Sequence, residues 1–174
     1  MKQIVTIFFL SLFFFVCNGQ TRNIDYSNTI KKQAEMMSQL LLKKDFISFC
    51  KYTYPKIIDM MGGKQKMVEV MENGTKEMQS SGVEFLHVTI GEPSKIITIR
   101  NELQCTVPQT IEMKVPNGRL ISKSTLIAIS IDNGKNWYFV DTSGKDIETM
   151  KKGLPNLSGE LIIPEKTQPT FYKE

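Results

Sequence analysis

The sequence predicts an α+β fold, with N-terminal helices packed on a curved antiparallel sheet of four to six strands. Three observations carry that expectation. Between residues 27 and 79, apolar side chains recur every three or four positions, the spacing of a helix face. Between 83 and 141, β-branched residues dominate and the period falls to two. Pro116-Asn117-Gly118 and Asp132-Asn133-Gly134-Lys135 then read as hairpin turns, where Asn and Gly tolerate the positive φ that tight connections need.

The chain opens on an export signal. Lys2 gives a positive start, and the run Ile4 to Val16 is apolar but for Thr6 and Ser11. It is short for a bilayer span, which takes roughly 20 residues, and no later segment is longer or more apolar. Small residues precede the expected cut between Gly19 and Gln20. A lipid anchor at Cys17 fits less well, because Val16 and three phenylalanines stand where a lipoprotein site wants a small residue. Cleavage leaves about 155 residues, which is one domain in size. Residues 1–19 are therefore read as signal peptide, 20–145 as a single α+β domain, and 146–174 as a short helix with an extended C-terminal arm.

The elements follow in order. Ser27 to Lys43 is an amphipathic helix with Ile30, Ala34, Met37, Leu40 and Leu41 on one stripe. Asp45 caps a shorter helix through Phe46, Ile47, Phe49 and Cys50, since its carboxylate can accept from backbone amides of the next turn. Pro55 interrupts, a third short piece carries Ile57, Ile58, Met60 and Met61, and Gly62-Gly63 breaks the chain. A long helix follows from Lys64 to Gln79. The strands are expected at Val83–Ile90, Ile96–Ile99, Leu103–Val115, Arg119–Ile131 and Asn136–Asp141. Strict alternation along the first places His87 beside Val83 and Phe85. Pro108 cannot donate to a ladder and so marks an edge or a bulge. A short helix from Asp146 to Lys151 and a last strand at Glu160–Ile163 complete the pattern.

Helices followed by long antiparallel strands, the segment from Lys44-Asp45-Phe46 through Tyr54-Pro55 to Gly62-Gly63-Lys64, and the closing Gly134 to Asp141 together resemble one superfamily. It is the nuclear-transport-factor-2-like, or cystatin-like, cone fold, and specifically its small exported bacterial members. The resemblance covers roughly Ile24 to Asp141 and describes helix breaks and turns rather than chemistry. It implies a cone whose open end, in the isomerase-like and cyclase-like enzymes, holds an acid–base Asp with a His or Tyr. Other members of the superfamily bind ligands or proteins without catalysis. The catalytic set finds no match here, and Asp141 is read as a strand-end residue facing solvent.

Composition narrows the functional classes. Lys and Arg number 22 against 18 Asp and Glu, and the lysines are scattered among acids rather than gathered into a stripe, which argues against nucleic-acid binding. His87 is the single histidine and has no clustered ligands beside it in sequence, so neither metal nor cofactor is expected. Nucleotide-loop, nucleophile-elbow and C-x-x-C signatures are missing. Cys50 and Cys105 either bridge, closing a loop of about 55 residues, or pack as separate buried thiols. Ser130 to Trp137 is similar to the Asp-box of sialidase-type propellers, a hairpin device that those folds repeat and this chain carries once. Methionines crowd the helices (Met36, Met37, Met60, Met61, Met67, Met71, Met78) and suit either ordinary packing or a pocket for apolar guests. Tyr52, Tyr54, His87 and Trp137 are the candidate pocket residues. The leading expectation is an exported non-catalytic domain that binds a small apolar ligand or a protein partner, a homodimer included. The alternative is an isomerase-like or cyclase-like enzyme with His87 as its acid–base group.

Overall fold

A computed structural model describes residues 25–173; the signal segment, Cys17 and the Gly19–Gln20 cut lie outside the described residues. Helix α1 (Ser27–Leu42) buries Ile30, Ala34, Met37 and Ser38. Ser38 is tolerated on that face because its hydroxyl donates to the Ala34 carbonyl at 2.9 Å. Asp45 caps α2 (Phe46–Phe49), accepting from the Ser48 amide at 3.0 Å, and that bond lowers its pKa. Pro55 does not merely interrupt: it opens α3 (Pro55–Met60), where a missing N–H leaves nothing unsatisfied. Gly62 and Gly63 then separate α3 from α4 (Lys64–Ser80).

The sheet is antiparallel and unclosed. Its spine is the pairing of β3 (Glu102–Val115) with β4 (Gly118–Ser130), in register from Leu103↔Ser130 to Val115↔Gly118. Along β3's outer edge run β1 (Glu84–Ile90) and then β2 (Ile97–Ile99). Pro108 falls at the gap between them, just beyond the Ile90↔Gln109 pair, where no ladder bond is asked of it. Along β4's other edge run β5 (Tyr138–Asp141) and the C-terminal β6 (Thr170–Lys173).

Two expectations need correction. The first concerns β1, where strict alternation fails. A bulge between Phe85 and His87 inserts one residue, so Phe85 pairs with Met113, His87 with Glu112 and Val88 with Ile111. Phe85 therefore shares a face with Val88 and Ile90, and His87 is turned to the opposite, exposed face. The second concerns the last strand. Glu160–Ile163 forms none; the strand is β6, whose four residues are all exposed. It closes on β4 tightly because residue 118 is glycine: a Cβ there would stand 2.1 Å from the Tyr172 carbonyl oxygen.

Where β4 meets β5, both faces of the sheet are covered. On one, α1 brings Ile30, Ala34 and Met37 onto Cys105, Val107, Leu126, Ala128, Trp137 and Phe139. On the other, α5 (Ile147–Gly153) and the chain after it set Met150, Leu154, Leu157 and Leu161 against Ile127, Ile129 and Val140. Asp146 caps α5, accepting from the Thr149 amide at 2.8 Å. The segment that reads as a loose arm is thus anchored as far as Leu161. Gln104, fully buried, ties it down: its amide donates to the Asn156 carbonyl at 3.1 Å and accepts from the Ser158 amide at 2.9 Å.

The Ser130–Trp137 hairpin is built as its sequence suggests. The Ser130 hydroxyl donates to Asp132 and accepts from the Gly134 amide, both at 2.9 Å. Asp132 accepts from the Asn136 amide at 2.9 Å and its side chain at 2.6 Å. Trp137 packs beneath with its indole N–H on the Gly134 carbonyl at 3.0 Å. Gln33 of α1 staples the hairpin from outside, donating to the Lys135 carbonyl at 3.0 Å and accepting from the Trp137 amide at 2.8 Å.

Candidate functional site

The helices do not fill the space beside β5, and a cavity of about 470 Å³ remains. That size falls within the range of small-molecule sites, roughly 300–1,000 Å³. Its base is made by buried Met37, Met67, Leu126 and Phe139. Ile57 and Met60 of α3, Leu41 of α1, Phe49 of α2, Ile111 of β3, Met150 and Gly153 of α5, and Leu154 just after it form the walls. The opening is marked by exposed Met60, Asp141, Lys145 and Thr149. Asp141 and Lys145 are the two charged residues of the lining among the described residues.

The polar groups of the lining are held in different ways. Gln109, 6% exposed, donates from Nε2 to the Ser124 hydroxyl at 2.8 Å and to Asp141 Oδ2 at 2.6 Å. Asp141 Oδ1 accepts the Ser143 amide at 2.5 Å. Asp141 does end its strand in solvent, and the same residue is fixed at the cavity mouth from inside. Thr53 lies between α2 and α3, bridged to Phe139 of β5, with the Tyr54 amide on the Phe139 carbonyl at 3.2 Å. It is 5% exposed, and its hydroxyl finds no hydrogen-bond partner among the described residues. Buried hydroxyls without partners are uncommon.

The four pocket residues expected from sequence do not converge here. Trp137 is 1% exposed and belongs to the core beneath the hairpin. Tyr52 packs against that same core. Tyr54 turns the other way, to Glu102 at 3.1 Å, and burial together with that carboxylate pushes its pKa to about 12. His87 is exposed on β1 by the bulge and does not line the cavity. The methionine signal located the site better: Met37, Met60 and Met67 line it, joined by Met150. Gln109, Asp141 and Thr53 were missed, because their partners lie far away in sequence and no local pattern marks them.

Comparison with protein-family models, with curated proteins and with solved structures finds no match.

Neither cysteine lines the cavity. Cys50 and Cys105 are free and buried, and burial raises both thiol pKa values, that of Cys105 to about 12. Such thiols stay protonated and weakly nucleophilic at neutral pH. Cys50 rests 3.8 Å from the Met67 sulfur, behind the cavity base. Among the described residues no group of three or more His, Cys, Asp or Glu side chains is placed to hold a metal ion, and no helix is long and apolar enough to cross a membrane. What the arrangement can do is enclose an apolar molecule and touch it with a few polar groups at one end.

Proposed function

We propose that this protein is an exported, non-catalytic domain that holds a small apolar ligand between its N-terminal helices, β5 and α5. The single observation that carries the reading is the 470 Å³ cavity walled by methionine and aliphatic side chains. Four thioethers around one cavity can reshape around a guest, which suits ligands of variable outline. The position of His87, exposed and outside the lining, weighs against the acid–base alternative, since a general base must reach the substrate it deprotonates. The element order supports kinship with the non-catalytic members of the cone-fold superfamily, and the leader supports export.

The test is a titration of the mature chain with N-phenyl-1-naphthylamine, a neutral apolar dye that brightens out of water. Saturable one-site binding is expected. Ile57→Trp places an indole into the space from a half-buried wall position and is expected to weaken the dye by roughly tenfold or more, with the melting temperature preserved. Absence of saturable binding, or equal binding by the filled variant, contradicts the reading.

A further inference from the structure

We infer that the ligand of this cavity is neutral overall and carries a hydroxyl group at the mouth, as a long-chain alcohol does, rather than an ionised head. The inference rests on the cavity reading above and adds the chemistry of the polar end.

The fixed polar group at the mouth is an acceptor. Asp141 is gripped on one oxygen by Gln109 at 2.6 Å and on the other by the Ser143 amide at 2.5 Å, while Gln109 is braced by Ser124 at 2.8 Å. An ionised carboxylate has roughly four lone-pair positions and no proton to give, so the group that completes it must donate. A hydroxyl does so; a carboxylate brought alongside would be repelled.

Net charge points the same way. Among the described residues Lys145 is the one cation of the lining and Asp141 the one anion, so the rim is balanced and offers no surplus charge to an ionised head. Inside the rim, the Ser38 hydroxyl is already committed to the Ala34 carbonyl. The Thr53 hydroxyl is closed off from the cavity space and offers the guest no contact. Asp141 is thus the polar group left to receive the head: a neutral hydroxyl donates to it without upsetting the rim, a carboxylate opposes it, and an ammonium sets a second cation beside Lys145.

The experiment uses the mature chain loaded with N-phenyl-1-naphthylamine and displaced by 1-dodecanol, dodecanoate or dodecylamine at neutral pH. Dodecanol is expected to displace the dye at least roughly tenfold more tightly than dodecanoate, and more tightly than dodecylamine. Asp141→Asn is expected to narrow the alcohol-to-acid ratio, and Lys145→Met, an exposed position that leaves the core untouched, to widen it. Dodecanoate or dodecylamine binding as well as dodecanol, or ratios that stay fixed in both variants, overturns the head-group assignment while leaving the cavity reading in place. A wild-type chain that binds no dye at all overturns the cavity reading and this inference with it.

Discussion

Trp137→Ala is expected to lower the unfolding free energy by about 3–5 kcal/mol. Trp137 is 1% exposed, among the largest fully buried side chains of the protein. Truncation opens a void where α1, β4 and the hairpin meet, against Ile30, Ala34 and Ala128. It also removes the edge-to-face contact with Tyr26 (ring centroids 6.0 Å apart) and strands the Gly134 carbonyl. Neighbours cannot collapse into the gap, because Gln33 and the Ser130–Asp132 bonds hold the hairpin in place. Urea unfolding followed by far-ultraviolet circular dichroism reads the loss directly. Trp137→Phe keeps a ring and loses the indole N–H bond, so it should fall between the two. A loss below about 1 kcal/mol for the alanine variant would mean that the hairpin does not close over the core as described.

Gly134→Ala is the second large effect, expected at about 2–3 kcal/mol from two independent causes. Residue 134 sits at φ +81°, a conformation that costs an L side chain roughly 1–2 kcal/mol. An added Cβ would also stand 2.2 Å from Cε1 of Tyr26, so the Tyr26 ring must leave its place on Trp137. The same change at Gly62, at φ +89° where an added Cβ meets only Lys66 side-chain carbons at 3.6 Å or more, carries the backbone penalty alone and is expected to cost less. Thermal melts of the two variants side by side separate the contact from the conformation. Equal losses would show that Tyr26 does not press on the turn.

What could be read ahead of the structure follows from how local each signal is. Helix α1, the Asp45 cap and the Ser130–Trp137 hairpin are each written within a few neighbouring residues, and they stand where the sequence puts them. The side of His87 was misread because one bulged residue reverses parity, and β1 carries no Gly or Pro to announce a bulge. The strand at Glu160–Ile163 was misplaced for a related reason. Leu157 and Leu161, four apart, read as arm residues and are in fact anchors on the sheet's second face. Which strand edges stay open to a terminal segment is decided by the whole sheet, not by the segment. At the cavity the apolar part was legible, because methionines cluster visibly on the helices. The polar end was not, because Gln109, Asp141 and Thr53 meet only once β3, β5 and the α2–α3 link are in place.

Methyl resonances of methionine, labelled with ¹³C in the mature chain and followed by NMR as 1-dodecanol is added, test the central claim most directly. Met37, Met60, Met67 and Met150 face the cavity, whereas Met36, Met61, Met71, Met78 and Met113 stand outside it. A guest held where we place it shifts the first four, saturating at one equivalent, and leaves the other five still. Shifts spread over all nine, or confined to the outer five, would contradict it.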